Sequence, residues 1–227
     1  MRVWLSIAIA VFAMGSWSVA AGVRAWHAVS LAYPPTQAVS LSKPVSMENV
    51  GEVANPVAQT IVEAMRSATG AEIGMLGAAF FDESVQFPAG SLSVDSLLKA
   101  VRYPEDEVVV LSLTGEQLLQ ALERSIELYP QKNNAFLQLT GAEVRFDPKA
   151  EPGKRIQSVF ISGAKLDPKR TYRVATTAPL ARGALGYFRI WSKEQISTST
   201  GRSIAQVVRE FLQRQRTLIQ APAWISE

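Results

Sequence analysis

The sequence of 227 residues contains no cysteine and only one histidine, His27. Without cysteine the chain forms no disulfide, and it has no thiolate nucleophile or cysteine-based zinc site. One histidine is too few for a two-metal phosphoesterase centre, which needs several His and Asp ligands to position the attacking hydroxide. Ser–His–Asp and Cys–His catalysis are also disfavoured, because His27 falls outside the region that is expected to fold. We therefore expect no catalytic residue, no metal site and no cofactor.

Runs of charge of one sign and glycine-rich phosphate loops are also missing. Lys and Arg total 23 and Asp and Glu total 20, so the formal charge is only +3, and the cations are scattered. So weak a field argues against nucleic-acid binding. Residues 74–79 match neither the P-loop nor the dinucleotide-binding pattern. The acidic run Glu105-Asp106-Glu107, a charged turn before a strand, is interpreted as solvated surface and not as an acid and base pair.

The first residues have the features of a secretory signal. Met1-Arg2 supplies a positive start, residues 3–14 form an apolar run, and Ser18-Val19-Ala20 has the small-x-small pattern that signal peptidase cleaves. These features predict a signal peptide over residues 1–21 and export to the periplasm or the extracellular space. An uncleaved anchor is the alternative, because the nearly uncharged stretch 3–23 approaches the roughly 20 residues that span a bilayer. Membrane contact is expected only through such an anchor.

The composition of the chain favours one globular domain preceded by a linker. Apolar residues make up 48% of the sequence and charged residues 19%, so neither disorder nor a multi-span membrane protein fits the whole chain. Residues 22–52 lack helical periodicity and contain Tyr33-Pro34-Pro35 and Lys43-Pro44. This pattern predicts an extended linker over residues 22–52 and a single domain over residues 53–227.

Within that domain, helices are predicted from caps and from apolar residues at helical spacing. Asn55 and Pro56 start the first helix and Gly70 ends it, Ser93 starts a short one, and Thr114 with Gln117 forms a capping box. A closing helix is predicted over residues 203–216. The buried faces are predicted to comprise Val57, Ile61, Val62 and Met65; Leu118, Leu119, Leu122 and Ile126; and Ile204, Val207, Val208, Phe211 and Leu212.

Strands are predicted where β-branched and apolar runs lie between turn signals. The runs are residues 72–81, 108–113, 142–146, 158–162 and 172–176. Helices first, then a cluster of strands, then a closing helix are typical of an α+β fold. We predict a single α+β domain with a mixed β-sheet flanked by helices.

Six short motifs in a fixed order extend this interpretation. They are Gln59-Thr60-Ile61-Val62-Glu63-Ala64-Met65-Arg66, Thr69-Gly70-Ala71-Glu72-Ile73, Leu113-Thr114-Gly115-Glu116-Gln117-Leu118, Phe136-Leu137-Gln138-Leu139-Thr140-Gly141, Asp147-Pro148 with Gly153-Lys154-Arg155, and Thr171-Tyr172-Arg173-Val174-Ala175-Thr176. Together they resemble the C-terminal domain of 5′-nucleotidases, from about Val53 through a terminal Trp224-Ile225. The resemblance implies that fold, and it implies that the family's calcineurin-like metallophosphatase domain is missing.

The same resemblance implies a ligand site on three segments. The family's Asn-Gly-Gly-Gly-Ile-Arg loop falls on residues 77–82, its base-stacking Pro-Phe falls near Tyr103, and its Phe-Leu-Ala-Asn-Gly-Gly-Asp-Gly-Tyr stretch falls on residues 179–187. The candidate ligand-binding residues are therefore Gly77, Phe80, Phe81, Asp82, Tyr103, Pro179 and Leu185. By their position beside an apolar strand, Phe80 and Phe81 can equally be core residues.

Several of these positions differ from the family pattern in a way that alters the expected ligand. Asp82 replaces a phosphate-binding arginine, Pro179 replaces a stacking ring, and Leu185 replaces a carboxylate. The resemblance then implies a smaller, more apolar site that prefers a nucleoside-like molecule over its monophosphate. The alternative is that Phe80 and Phe81 fill the cleft and nothing binds.

Two functions follow from the resemblance and its departures. The first is an exported, non-catalytic ligand-binding or interaction module with a degenerate nucleotide pocket. The alternative is the substrate-binding subunit of a split 5′-nucleotidase or phosphohydrolase, in which a separate metallophosphoesterase chain performs the hydrolysis in nucleotide catabolism. A stand-alone hydrolase with unrelated chemistry is the third and weakest interpretation, since no catalytic constellation is present in the sequence.

We predict that the purified chain releases no phosphate from nucleotides when Mn²⁺, Co²⁺ or Zn²⁺ is added, because one histidine cannot hold a two-metal centre. The measurement is a phosphate-release assay across column fractions, with a two-metal nucleotidase as the positive control. Metal-dependent release that survives repurification and follows this protein through the column would contradict the prediction.

Overall fold

The computed structural model describes residues 38–220 and 223–227, and all of them fall within one compact unit. The predicted signal or anchor over residues 1–21, the first part of the predicted linker and His27 lie outside the described residues. Among the residues described, no helix combines the length and the apolar character needed to cross a bilayer.

The described ranges contain five α-helices, three short 3-10 helices and thirteen strands. The α-helices are α1 (Pro56–Thr69), α2 (Val94–Leu98), α3 (Gly115–Ser125), α4 (Ala178–Ala181) and α5 (Ile204–Arg214). The 3-10 helices are Ala78–Phe80, Ala184–Arg189 and Lys193–Gln195. The strands are β1 (Ala38–Leu41), β2 (Val45–Ser46), β3 (Ile73–Gly77), β4 (Gln86–Phe87), β5 (Gly90–Ser93), β6 (Glu107–Thr114), β7 (Leu137–Thr140), β8 (Ala142–Phe146), β9 (Ile156–Ile161), β10 (Ala164–Lys165), β11 (Thr171–Thr177), β12 (Ile196–Ser203) and β13 (Trp224–Ser226).

The largest sheet has the strand order β12-β6-β11-β3-β7. The β3 and β11 strands run parallel, and the other neighbours are antiparallel. The β-branched run of β6 from Val108 to Val110 is buried, as its composition predicts for an inner strand. The predicted α+β fold with a mixed sheet and flanking helices is therefore confirmed.

A second sheet has the order β10-β9-β8-β13, in which β13 pairs parallel to β8. Gly141 joins β7 of the first sheet to β8 of the second with a φ of 78°. A Cβ atom there would lie 2.2 Å from the carbonyl oxygen of Glu72, so only glycine fits this bend. On β13, the indole of Trp224 packs on Phe136 and Phe146, and its Nε1 donates to the carbonyl of Leu137 at 2.9 Å.

The predicted caps form as the sequence indicates. The side chain of Asn55 accepts from the amides of Val57 and Ala58 at 3.0 and 3.3 Å, and Gly70 ends α1 with a φ of 59°. At the start of α3, Thr114 and Gln117 make the reciprocal capping box. Local sequence therefore fixes both ends of α1 and the start of α3.

The buried helix faces agree with prediction except at two positions. In α1 and α3, the predicted aliphatic residues pack against the sheets, apart from Leu119, which is half-buried. Phe211 on α5 was predicted to be buried and is also only half-buried. It lines a groove between α1 and α5 opposite Ala64 and Ala68, whose small side chains leave the ring uncovered.

The predicted linker differs from the structure in its described part. The β1 strand pairs with β5 and β2 pairs with β4, and Met47 and Val50 are completely buried. The lack of helical periodicity alone had indicated a linker. The apolar residues Val39 and Leu41 recur instead at the period of two that a half-buried strand requires. Residues 38–52 therefore pack with the domain that was predicted to begin at residue 53.

The buried side-chain amide of Gln138 holds the segment that leads into α1. The side chain of Gln138 on β7 is fully buried, and its Nε2 donates to the carbonyls of Val50 and Val53 at 2.8 and 2.7 Å. Its Oε1 accepts from the amide of Asn55 at 2.9 Å. All of these groups would be costly to bury without partners, so Gln138 holds the chain that leads into α1.

We predict that Leu122→Ala lowers the free energy of unfolding by about 2–5 kcal/mol, because Leu122 lies on the buried face of α3 and its truncation leaves a cavity. The matched control is Leu128→Ala, since Leu128 is 50% exposed and its truncation should cost less than about 1 kcal/mol. Urea denaturation measures both. Equal effects of the two substitutions would mean that the face of α3 assigned to the core is wrong.

Candidate functional site

The three segments predicted to carry the site meet at one edge of the larger sheet. Because β3 and β11 are parallel neighbours, the residues that follow each strand lie at the same edge. Gly77 ends β3, and Thr177 ends β11 just before α4. Ligands of open sheets bind in the crevices outside the carboxyl ends of parallel strands. The topology therefore brings residues 77–82 and 178–189 into one region.

Gly77 and Leu185 are in direct contact in this region. A Cβ atom at residue 77 would lie 2.4 Å from Cδ1 of Leu185, so the leucine covers the glycine. Leu185 reaches this position with a φ of 60°, in the left-handed region that few residues other than glycine adopt. Such a backbone conformation persists only when the surrounding structure holds it. The leucine side chain thus fills the space beside the end of β3.

The aromatic residues of the first two segments differ in what they offer a ligand. Phe81 is fully buried and Phe80 is only 6% exposed, so both belong to the core, as the second interpretation of the sequence held. Tyr103 is 57% exposed and meets the edge of Phe80, with ring centroids 6.4 Å apart. Of these three rings, only Tyr103 presents a free face for stacking.

Asp82, which replaces a phosphate-binding arginine in the resemblance, is engaged by neighbouring residues. Its carboxylate accepts from the amide and the hydroxyl of Ser84 at 3.0 and 2.8 Å, and Arg102 lies 3.8 Å away. These hydrogen bonds, and to a lesser degree the charge of Arg102, hold the pKa of Asp82 below its ordinary value. The negative charge is therefore offset locally.

Arg102 is a residue that the sequence analysis missed. Its Nε donates to the carbonyl of Phe81 at 2.8 Å, which aligns the guanidinium along the first segment beside Asp82. The only signal in the sequence was its position directly before Tyr103.

Pro179 lies in the first turn of α4 and is half-buried between the buried residues Ala178 and Leu180. Proline is well suited to that turn because its missing amide hydrogen is not needed there. It has no aromatic face, so α4 supplies no second stacking surface at this position.

The segment after α4 is anchored by two aromatic residues that composition alone did not single out. Tyr187 is fully buried, and its hydroxyl donates to the carbonyl of Ala135 at 2.7 Å. Its ring stacks on Trp191 at 4.6 Å between centroids, and Nε1 of Trp191 donates to the carbonyl of Leu180 at 3.0 Å. Burial raises the pKa of Tyr187 far above its ordinary value, so the hydroxyl stays protonated and donating.

Helix α3 holds the same segment at two further points. Near the start of the helix, Nε2 of Gln117 donates to the carbonyl of Ile190 at 2.9 Å. Near its end, the guanidinium of Arg124 donates to the carbonyl of Leu185 through Nε at 3.0 Å and also through Nη2. The same guanidinium lies 5.6 Å above the ring of Tyr187. Arg124 was also missed, because its partner is distant in sequence.

The acidic run after Tyr103 is only partly the solvated surface that was predicted. One carboxylate oxygen of Asp106, Oδ2, is covered and has no hydrogen-bond partner in the described structure. Burial raises the pKa of this carboxyl. The backbone of the run caps α5, since the amides of Ile204 and Ala205 donate to the carbonyls of Asp106 and Pro104 at 3.0 and 2.8 Å.

Across residues 38–220 and 223–227, no group of three or more His, Cys, Asp or Glu side chains is arranged to hold a metal ion. The structure thus brings Gly77 next to Leu185, Phe80 next to Tyr103, and Asp82 next to Arg102. A ligand-binding role for the seven predicted residues stays a prediction.

Comparison with known sequences identifies the family that shares these features. The sequence model described as the 5′-nucleotidase, C-terminal domain, matches residues 38–194. Protein UshA of Salmonella pullorum is 32% identical over 160 residues, which are 70% of this chain and 27% of that protein. A 5′-nucleotidase of Diplobatis ommata is 26% identical over 140 residues, which are 58% of this chain and 24% of that protein. The chain therefore spans about a quarter of the length of these curated relatives.

Solved structures show the same fold at lower identity. The 5′-nucleotidase precursor of Thermus thermophilus superposes with a TM-score of 0.71 at 20% identity, over 83% of this chain and 39% of that one. The NAD nucleotidase of Haemophilus influenzae gives 0.70 at 14% identity, over 85% and 39%. The resemblance stated from the six motifs is thereby confirmed, and the match from residue 38 agrees with the packing of β1 and β2.

We predict that the pKa of Asp82, followed by NMR of its carboxyl carbon, lies below the ordinary aspartate value of about 3.9. Because the bonds from Ser84 are the main cause, Ser84→Ala should raise this pKa more than Arg102→Gln does. The stability that Asp82 contributes is present above the unfolded pKa and is lost as the pH falls through the lower folded value. A larger rise of this pKa in Arg102→Gln would show that the charge of Arg102, and not the hydrogen bonds from Ser84, is the main cause of the low pKa of Asp82.

Proposed function

Because the chain belongs to the 5′-nucleotidase C-terminal domain family, we propose that it is an exported, non-catalytic ligand-binding or interaction module with an altered nucleotide pocket. The observation that carries this proposal is the filling of the family's ligand region. Leu185 covers Gly77, while Phe80 and Phe81 are buried in the core. A ligand that needs the end of β3 would have to displace packed apolar groups.

Nucleotide recognition in the family's manner loses most of its energy here. Of the rings at the predicted ligand positions, only Tyr103 is exposed, and each lost stacking ring costs roughly 1–3 kcal/mol of binding. The arginine expected at residue 82 is an aspartate, and a hydrogen bond to a charged group contributes about 1.5–3 kcal/mol. Each loss of about 1–3 kcal/mol weakens binding roughly fivefold to more than a hundredfold.

The groups that remain favour an uncharged ligand over an anionic one. Tyr103 presents an exposed ring, and the carboxylate of Asp82 lies 3.8 Å from the guanidinium of Arg102. A phosphate would compete with this carboxylate for Arg102 and would meet its repulsion. A nucleoside-like molecule stacking on Tyr103 avoids both costs. We therefore assign this chemistry to any small ligand of the site.

A second candidate is a subunit that presents a substrate to a separate metallophosphoesterase chain in nucleotide catabolism. The observation that favours it is the exposure of two large rings on the segments around the site. Tyr103 is 57% exposed and Phe188 is 65% exposed, which suits a protein contact as well as a ligand. A purified exported metallophosphoesterase that gains nucleotidase activity on addition of this chain, and loses the gain with Phe188→Ala, would favour this candidate.

We predict that adenosine binds more tightly than AMP in calorimetric titration, because the carboxylate of Asp82 repels a phosphate and Tyr103 retains an exposed stacking ring. Tyr103→Ala should abolish the adenosine signal, and Tyr103→Phe, which keeps the ring, should retain it. Tyr103 is exposed, so neither substitution should affect folding.

The opposite preference would overturn the proposed ligand chemistry. If AMP binds more tightly and Arg102→Gln removes that preference, Arg102 is a phosphate ligand and Asp82 does not neutralise it.

A further inference from the structure

A cleft lies between α3 and the end of the segment that this helix holds. It is formed by α3, by the turn and strand around Lys154 and Ile156, and by Arg189 with Ile190, and it has a volume of about 730 Å³. We call it the lateral cleft. This volume lies within the range of about 300–1,000 Å³ typical of small-molecule sites. None of the seven residues predicted for the nucleotide region lines it.

The apolar surface of the lateral cleft comes from three aliphatic residues on separate elements. They are Leu119 on α3, Ile156 at the start of β9, and Ile190, and each is only partly buried. Leu119, which was predicted to be buried, is only half-buried because it lines this cleft. Aliphatic side chains that converge on a cleft and stay half-exposed gain from covering by an apolar ligand.

Cations lie around this apolar surface. Arg189 is exposed and has no carboxylate partner among the described residues, and its guanidinium lies 5.8 Å from the centre of the Phe188 ring. Lys154 pairs with Glu151 at 3.1 Å, but both side chains are strongly exposed, and such a pair is weak. An anionic group at the mouth of the cleft can therefore engage Lys154 and Arg189 with little competition.

Glu123 is the carboxylate that lines the cleft, and its Oε1 accepts from the amide of Ile156 at 2.7 Å. The other oxygen, Oε2, is covered and has no partner in the described part of the chain, so it does not face a ligand in the cleft. The charge of Glu123 opposes an anion beside α3, and the anionic group is therefore placed at the mouth, beside Lys154 and Arg189.

We propose that the lateral cleft binds a small amphipathic anion. Its apolar rings cover Leu119, Ile156 and Ile190, and its anionic group meets Lys154 and Arg189 at the mouth of the cleft. The site is independent of the proposed nucleoside-like ligand, because different residues line the two regions.

The probe is 8-anilinonaphthalene-1-sulfonate, which combines fused rings and a sulfonate. Fluorescence titration of the native chain should saturate at one equivalent. Arg189→Glu and Lys154→Glu should each weaken binding by about fivefold or more, as expected for the loss of an attractive charge and the gain of a repulsive one. Lys169→Glu changes the net charge equally at an exposed site away from the cleft and should leave the affinity unchanged.

Glu123→Gln tests the placement of the anionic group. The glutamine oxygen can still accept from the amide of Ile156, while the negative charge that lines the cleft is lost, so binding of the anionic probe should become tighter. Weaker binding in this variant, with folding intact, would overturn the proposed placement of the anion.

Circular dichroism and thermal melting establish that each variant is folded. Affinity that is unchanged in folded Arg189→Glu and Lys154→Glu, or a signal that does not saturate, would overturn the lateral cleft as the binding site. Loss of probe binding in Tyr103→Ala would do the same by placing the probe in the other region. Adenosine should not displace the probe, so this proposal stands or falls separately from the proposed function.

Discussion

Both candidate regions depend on the hydrogen bonds by which side chains of α3 hold the segment from Gly183 to Trp191. Gln117 holds the carbonyl of Ile190 at one end of the helix, and Arg124 holds that of Leu185 at the other. A carbonyl that accepts from a guanidinium fixes the backbone more firmly than a neutral hydrogen bond does. With its backbone held, Leu185 keeps a left-handed conformation over Gly77, and Ile190 stays at the wall of the lateral cleft.

The nucleotide region is altered by the same forces that build the core. Leu185 stands at the position that the resemblance assigns to a carboxylate, and Phe80 and Phe81 stand in the loop segment; all three side chains pack against neighbouring residues. The carboxylate of Asp82 accepts from the amide and the hydroxyl of Ser84, and Arg102 lies 3.8 Å away. The fold of the family thus persists around a region in which Leu185, Phe80 and Phe81 are packed, while the ring of Tyr103 stays exposed.

Sequence reasoning succeeded where the structure depends on neighbouring residues. Asn55, Gly70 and the Thr114–Gln117 pair act within one helical turn, so their chemistry can be read from spacing. It failed at residues 38–52, because short strands depend on partners that are distant in the chain, here β5 and β4. A break in helical periodicity cannot distinguish a linker from a strand, whereas the alternation of Val39 and Leu41 can. The candidate site follows the same rule, because the order of the motifs placed Gly77 and Leu185 but could not show that they touch. At Phe211 the helical spacing predicted burial, but the residue lines a groove with Ala64 and Ala68, whose side chains are too small to cover the ring.

Strand β13 bears on self-association of the protein and not on ligand binding. It lies at one edge of its sheet, and Trp224 ties it to Leu137 of the other sheet. A chain without β13 would present the unpaired backbone of β8 beside the uncovered rings of Phe136 and Phe146. A bare apolar edge of this kind is a template for pairing with a second chain. The last strand thus protects the folded protein against self-association, and its loss would be seen first as aggregation.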